Sequence, residues 1–427
     1  MQSSVFHNYI EKCRKSNQLI VQPRMGFSDI ETMSQGLIAV SSHNAATIGT
    51  LTIDSYTRVR DFEQAKQAVI NKLDLNGYPI VAYSAEENRN MLAGLLSENF
   101  PIQVRHGSPQ PLEIFQAMLD CGLDATEGGP ISYCLPYSRI PLQHSIKAWR
   151  ESCDLLGQEQ QKANIKFHLE TFGGCMLGQL CPPSMLITIA ILEALFFEKS
   201  GIQSISLSFA QGTNLNQDEG AILALRQLAN EYLDNKDFHI VLYTFMGQFP
   251  TTKQGAKRII EDSAYLAKRT NIERLIVKTA AEAYHIPTIA DNLEALSWAH
   301  AANDYSYQTH ATEIKAHSDI IYEQAKQLID TTLNLDTNID CALLMAFQHG
   351  LLDIPYCLHP DNQRQTSTYI DNQGVIHWAD KGNLPISKGL TSIFKGRSEH
   401  LSSNEFLDML SFNVNRYDYN LTNRSGL

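Results

Sequence analysis

The sequence lacks the features that mark disulfide scaffolds and nucleic-acid binders. Its eight cysteines form no C-x-x-C pair, and that density in 427 residues is far too low for a disulfide framework. We therefore expect free, buried thiols in a reducing compartment. Acidic residues number 46 against 34 lysines and arginines, so the net charge is −12. A chain this acidic lacks the basic surface that binding to phosphates requires, which excludes a nucleic-acid partner.

Long apolar runs are missing too. The most apolar stretch, residues 185–197, is too short to cross a bilayer and is followed by Glu198 and Lys199. The first fifteen residues contain no apolar core of a signal peptide. We therefore expect a cytoplasmic protein without a membrane partner.

Short runs rich in Val, Ile and Thr alternate with longer helical patterns, such as residues 184–198 and 220–232. This alternation predicts an α/β protein with a mostly parallel sheet. Both an open doubly wound sheet and a closed (β/α)8 TIM-type barrel fit the alternation, and we count nine candidate strands for eight places in a barrel. The candidates are residues 19–24, 47–54, 78–84, 102–107, 126–133, 164–171, 204–210, 239–246 and 274–279.

The position of the polar residues favours the barrel. Many candidate strands end in a polar or charged side chain, and a barrel gathers all its strand ends over one pocket. We predict a barrel over residues 1–310 and a mixed C-terminal accessory region over residues 311–427, where long helices give way to loops. The side chains at the strand ends are Arg24, Arg58, Arg105, Glu127, Phe172 and Lys278.

Three arginines at these ends point to a small dianion. Arg24 lies in QPRMG, Arg58 in TIDSYTR and Arg105 in VRHG. A guanidinium facing a barrel mouth needs an anionic partner, and its planar fork matches a carboxylate. Three of them together suit a dicarboxylate, although each could instead pair with a local carboxylate such as Asp54. Glu127 could serve an arginine or a substrate ammonium.

Other strand-end residues have two possible interpretations each. Phe172 is either a core residue or a lining of the site, and Lys278 with Glu282 is either functional or an ordinary surface ion pair. The phosphate, dinucleotide, zinc and nucleophile motifs G-x-x-x-x-G-K-[ST], G-x-G-x-x-G, H-E-x-x-H and G-x-S-x-G are all absent. A pocket that binds a small acid without catalytic machinery of its own indicates that a cofactor carries the difficult chemistry.

The ordered motifs QPRMG, TIDSYTR, LNGYP, QVRHG, EGGPISYCLPY, MGQFP and VKTAAEAYHIPT resemble the epsilon subunit of glutamate mutase (methylaspartate mutase). A weaker likeness, AFQHGLLDIPY with DNQG and GNLP, extends to about residue 385. The resemblance implies a TIM barrel that interconverts L-glutamate and threo-3-methylaspartate by a radical mechanism with adenosylcobalamin. It also implies a small sigma-type subunit that binds the cobalamin and supplies the cobalt ligand, since D-x-H-x-x-G is absent here. The assembly would be a heterotetramer containing a homodimer of large subunits.

The resemblance also implies roles for individual residues, with no metal ligand on this chain. Glu127, Arg58 and Arg105 would carry catalysis. The substrate site would comprise Arg24, Arg58, Arg105, His106, Glu127, Tyr133, Tyr137 and Phe172. The cofactor contacts would be Gly26, Asn76, Pro136, Phe249, Arg274, Lys278, Glu282 and Ile286.

The chain departs from the family pattern at Arg274, where the family has a lysine, in a short N-terminal lead and in the tail after residue 385. Two alternatives remain open from the sequence. The chain could be a related mutase acting on another amino dicarboxylate, or a paralogue that binds a dicarboxylate without catalysis.

Overall fold

The structure, a computed structural model, describes residues 4–176, 180–234, 237–302, 310–390 and 402–419. Eight parallel strands form one sheet in the order β1-β8-β7-β6-β5-β4-β3-β2. These strands are β1 Ile20–Pro23, β2 Gly49–Thr52, β3 Ile102–Arg105, β4 Ala125–Gly128, β5 His168–Thr171, β6 Ser204–Ala210, β7 Phe238–Tyr243 and β8 Arg274–Val277.

The two outer strands of this sheet meet and nearly close it into a barrel. Val21 N–H donates to Ala46 C=O at 3.0 Å, and Thr52 N–H donates to Met25 C=O at 2.9 Å across the seam between β1 and β2. The predicted (β/α)8 TIM-type fold is therefore confirmed, and the open sheet is excluded.

One of the nine predicted strands, residues 78–84, is wrong. Tyr78 makes a single parallel bridge with Ile53, and the chain then turns. The physical reason is Pro79, which has no N–H to continue the ladder. Ala82 N–H instead donates to Pro79 C=O at 2.8 Å, which closes a turn ahead of the next helix. The other eight predicted strands are confirmed, and seven of them are shorter than predicted, while β6 has the predicted bounds.

The helices pack around the barrel and continue after it. Those up to residue 301 are α1 Val5–Lys15, α2 Ile30–Ser41, α3 Ser55–Arg58, α4 Phe62–Ile70, α5 Ala85–Leu92, α6 Leu112–Asp120, α7 Leu142–Ala163, α8 Pro183–Lys199, α9 Leu215–Tyr232, α10 Lys253–Arg269 and α11 Ile289–Ala301. Later helices are α12 Ala311–Leu333, α13 Ile339–Gln348, α14 Ser403–Leu410 and α15 Phe412–Val414, and a hairpin joins β9 Ser367–Ile370 to β10 Ile376–Asp380. No helix in the described ranges is both long and apolar enough to cross a membrane.

The C-terminal region braces the loops at the carboxyl ends of the barrel strands. Asp361 accepts a hydrogen bond from Leu142 N–H at 2.7 Å, and Asp418 accepts from Thr251 N–H at 2.7 Å. Gln217 of α9 exchanges two hydrogen bonds with the backbone of Ile376. The predicted boundary near residue 310 stays a prediction, and residues 303–309 beside it lie outside the described part of the chain.

All eight cysteines are free, and all except Cys341 are buried. The prediction of free thiols is confirmed, and burial is confirmed for the other seven.

Candidate active site

A cavity of about 790 Å³ opens at the carboxyl ends of the barrel strands. Arg24 follows β1, Arg58 ends α3 after β2, and Arg105 ends β3. All three arginines line this cavity, so the structure brings together residues far apart in the sequence. The predicted residues that line it are Arg24, Arg58, Asn76, Arg105, His106, Glu127, Tyr133, Tyr137, Phe172, Glu282 and Ile286.

The three arginines differ in their protein partners. Arg105 Nε lies 2.9 Å from Glu127 Oε2, and both side chains are buried. Arg24 Nη1 lies 3.1 Å from Glu282 Oε2 in a part-buried pair. The Arg58 guanidinium is exposed and has no hydrogen-bond or ion-pair partner within the described ranges, apart from packing over Gly107.

Asp54 does not pair with Arg58, as one reading of the sequence allowed. Its Oδ1 accepts hydrogen bonds from the backbone N–H groups of Tyr56 and Thr57 and so caps α3. Asp54 therefore sets the start of the helix whose last residue is Arg58.

Glu127 is held by three buried side chains of the cavity region. Tyr133 OH donates to its Oε1, and Tyr243 OH lies 2.7 Å from its Oε2. Burial raises the pKa of both phenols, so they remain neutral donors at physiological pH. Burial disfavours the charged guanidinium of Arg105, yet Glu127 and Tyr243 hold its pKa well above the usual range. Arg105 therefore stays positively charged beside Glu127.

The network continues into the barrel interior, below the cavity. Tyr243 OH also bonds Glu170 Oε1, and Glu170 Oε2 pairs with the guanidinium of Arg274. Arg274 further donates to Gln22 Oε1 at 2.8 Å and to Gln103 Oε1 at 3.1 Å. Every member of this group is buried, so a layer of polar side chains occupies the centre of the barrel.

This placement does not support a cofactor contact by Arg274. Arg274 is the first residue of β8 and has no exposed surface, whereas Lys278 follows the strand at its other end. The guanidinium is satisfied by Glu170 and its neighbours, well inside the protein. Its position in the family pattern was therefore a poor guide to its surroundings in this chain.

The remaining predicted residues lie around the cavity. His106 stacks on Trp149 with ring centroids 5.7 Å apart, and burial lowers its pKa to about 3, so the ring is neutral. Lys278 Nζ lies 4.7 Å from the ring of Phe249 and 3.6 Å from Glu282 Oε2, and burial lowers its pKa. Lys278 and Glu282 are thus not an ordinary surface pair.

Gly26 and Pro136 lie beside the cavity rather than in its wall. A Cβ at Gly26 would meet Thr52 C=O at 2.3 Å, which explains the glycine by the packing of two loops. Pro136 lines an adjoining cavity of about 640 Å³, whose walls also include Arg58 and Tyr137.

Sequence reasoning missed Tyr243 and Glu170. Both lie inside runs that predict buried strands, where most side chains form the core. For Glu170 a signal was present, because an unpaired carboxylate in a buried parallel strand is costly and must have a partner. Within the described residues no group of three or more His, Cys, Asp or Glu side chains could hold a metal ion.

Comparisons with known proteins connect the chain to one family. The family model described as methylaspartate mutase E chain matches residues 2–416. A protein named glutamate mutase epsilon subunit from Desulfitobacterium hafniense is 30% identical, over 88% of this chain and 80% of its own length. Proteins of the same name from Yersinia enterocolitica and Haloarcula marismortui are each 29% identical. They cover 87% and 91% of this chain, and 79% and 81% of their own lengths.

Proposed function

The chain belongs to the methylaspartate mutase E chain family, and on that premise we propose that it is the large catalytic subunit of an adenosylcobalamin-dependent isomerase. The reaction would interconvert L-glutamate and threo-3-methylaspartate by a radical mechanism. The observation that supports this substrate most directly is the single cavity lined by Arg24, Arg58 and Arg105 together with Glu127.

The charges around the cavity suit an amino dicarboxylate. Three arginines and two glutamates line it, which leaves one excess positive charge, and Lys278 lies directly behind Glu282. Two substrate carboxylates would bind to the guanidinium groups, and the substrate ammonium would donate to Glu127. Tyr133 and Arg105 already hold the Glu127 carboxylate in place, so little reorganisation is needed when the substrate binds.

His106, Tyr137 and Phe172 would complete the walls of the substrate site. Phe172 packs against Tyr133, with ring centroids 4.9 Å apart, and presents an apolar surface next to the charged groups. Such walls exclude water from the reacting carbon atoms, which protects a reactive species from side reactions.

The rim of the cavity offers apolar surface for a large cofactor. Tyr137, Tyr284 and Ile286 line this rim and are 47%, 67% and 41% exposed. When bound, adenosylcobalamin supplies a carbon radical by homolysis of its cobalt–carbon bond. The side chains that would contact the cofactor are those of Asn76, Pro136, Glu282 and Ile286. Lys278 and Phe249 would support them from behind. The contact by Gly26 stays a prediction.

The same rim supports a partner subunit. The curated relatives are named epsilon subunits, a name that implies a complex. We propose a small sigma-type subunit that binds the cobalamin, supplies the cobalt ligand and covers the mouth. The assembly would be a cytoplasmic heterotetramer built on a dimer of large subunits.

Reconstitution tests this proposal. The purified chain, mixed with a candidate cobalamin-binding subunit and adenosylcobalamin, should form methylaspartate from glutamate. The chain alone, given the cofactor, should show little turnover.

A panel of amino dicarboxylates separates the two alternatives. Turnover of a different member with glutamate inert would make the chain a related mutase. Binding of glutamate without turnover by any reconstituted complex would make it a paralogue that only binds dicarboxylates.

A further inference from the structure

Glu193 lies in the middle of α8 and is completely buried, although it contacts neither of the two cavities. Its Oε1 accepts hydrogen bonds from Ile131 N–H at 3.2 Å and Ser132 N–H at 2.9 Å. Its Oε2 accepts from Ser132 OH at 3.1 Å and from Gly173 N–H at 3.0 Å. One carboxylate thus holds two loops, the one after β4 and the one after β5.

These four hydrogen bonds end directly next to the substrate residues. Ser132 precedes Tyr133, whose hydroxyl donates to Glu127, and Gly173 follows Phe172, which lines the cavity. The two side chains pack on each other. The backbone groups that Glu193 binds are therefore one residue away from Tyr133 and Phe172.

One glycine in each loop is explained by this helix. A Cβ on Gly129 would lie 2.0 Å from the Glu193 carboxylate, and a Cβ on Gly173 would lie 2.5 Å from the backbone N of Ala190. Gly129 in EGGPISY and Gly173 in TFGGC thus allow the loops to approach α8.

We propose that Glu193 is a positioning residue for the substrate site, because it fixes the loop of Tyr133 against the loop of Phe172. Buried N–H groups must be satisfied, and a carboxylate is the side chain that accepts four hydrogen bonds at once. The activity readout of this inference rests on the proposed function.

The decisive variant is Glu193→Gln, which keeps the shape but replaces one acceptor oxygen by a donor that faces the loop N–H groups. In the reconstituted enzyme we expect the KM for glutamate to rise at least about tenfold, because Tyr133 and Phe172 are displaced. The apparent affinity for adenosylcobalamin should stay within about twofold of the parent value. Thr188→Val on the same helix is the matched control, since Thr188 is buried and its hydroxyl donates to Ser184 C=O of the same helix at 2.7 Å, not to either loop among the described residues.

A second readout needs no activity. Trp149 packs against Tyr133, with ring centroids 6.3 Å apart. In a background in which Trp298 and Trp378 are replaced by Phe, its emission therefore reports the position of this loop. Glu193→Gln should shift this emission, and Thr188→Val should not. Glu193→Asp keeps the carboxylate and should give a KM and an emission between those of Glu193→Gln and the parent. If Glu193→Gln does not fold, Glu193→Asp is measured in its place.

Parental KM and parental emission in Glu193→Gln would overturn the inference, as would equal effects in Thr188→Val. If the parent complex turns over no glutamate, the proposed function fails, while the Trp149 emission still decides whether Glu193 holds the loops.

Discussion

Arg58 differs from the other arginines of the mouth because its guanidinium has no protein partner within the described ranges, so its charge is available to a ligand. We predict that Arg58→Lys lowers kcat/KM for glutamate at least about tenfold, since lysine cannot form the bidentate carboxylate contact worth about 1.5–3 kcal/mol. The melting temperature should not change. Turnover against glutamate concentration, with a thermal melt, measures both.

Arg60 offers the matched control for Arg58. It is exposed, lies two residues away and pairs with Glu113 on the surface. Arg60→Lys should retain parental kinetics. Equal losses in both variants would show that general charge near the mouth matters, not a specific contact by Arg58.

Unlike a change at Arg58, a change at Glu127 should lower both activity and stability, because the Glu127 carboxylate is buried among its partners. Glu127→Gln removes the charge that pairs with Arg105 and would receive the substrate ammonium. We expect kcat/KM for glutamate to fall roughly ten- to a hundredfold and the free energy of unfolding to fall by about 3–5 kcal/mol, since the Arg105 charge is left buried. Steady-state kinetics and urea unfolding measure the two losses.

Kinetics at the parental level in this variant would mean that Glu127 serves only Arg105. Binding of adenosylcobalamin by the complex is the control, and it should be retained.

The predictability of the site depended on where each residue stands in its strand. Arg24, Arg105 and Glu127 could be predicted, because a polar residue that ends an apolar run faces the strand-end pocket of a barrel. Arg274 was assigned to the cofactor from the resemblance alone, and the structure places it at the start of its strand, in the interior. The positions of Tyr243 and Glu193 could not be predicted, because their contacts depend on which strand or helix is adjacent in space.

At the level of elements, the cap of α3 controls the position of Arg58. Asp54→Ala removes the acceptor for Tyr56 N–H and Thr57 N–H and should lower the free energy of unfolding by about 0.5–2 kcal/mol. The KM for glutamate should rise as well, because the four-residue helix that ends in Arg58 frays. Urea unfolding and steady-state kinetics measure the two effects.

Asp54→Asn keeps an acceptor at the cap and should behave like the parent. A destabilised Asp54→Ala protein with an unchanged KM would show that Arg58 is held by its packing over Gly107 instead.

The false strand at residues 78–84 shows the limit of pattern reading for elements. Val81 and Tyr83 have the composition of a strand, yet Pro79 prevents a ladder from forming beside β2. The barrel strands were recognised because their runs are followed by glycine, proline or polar residues and then by a helical period.

At the level of the whole molecule, buried acids link stability to pH. Burial raises the pKa of Asp218 to about 7 and that of Asp124 to about 6, both well above the ordinary value for aspartate. A raised pKa means that the folded state binds the proton more tightly. The stability that the folded state gains from this tighter proton binding is therefore complete below about pH 4 and is lost as the pH rises through about 7.

We predict that the stability of the parent relative to Asp218→Asn falls between pH 5 and pH 7, by up to about 1.4 kcal/mol per pH unit. Asparagine keeps an acceptor for Gly212 N–H, so the comparison isolates the ionisation. Urea unfolding of both proteins at pH 5, 6 and 7 measures it. If the parent instead becomes more stable relative to Asp218→Asn as the pH rises, Asp218 is ionised and stabilised by Arg416.

The polar layer in the barrel centre also constrains how this lineage can change. Most TIM barrels fill that space with Val, Ile and Leu, which can be substituted one at a time with a modest loss of stability. Here Arg274, Glu170 and Gln103 satisfy one another, so replacing any one of them leaves a buried polar group without its partner. Homologues that differ in this layer should therefore carry paired replacements. The arginine at position 274 should be retained in any homologue that keeps Glu170 in the barrel core.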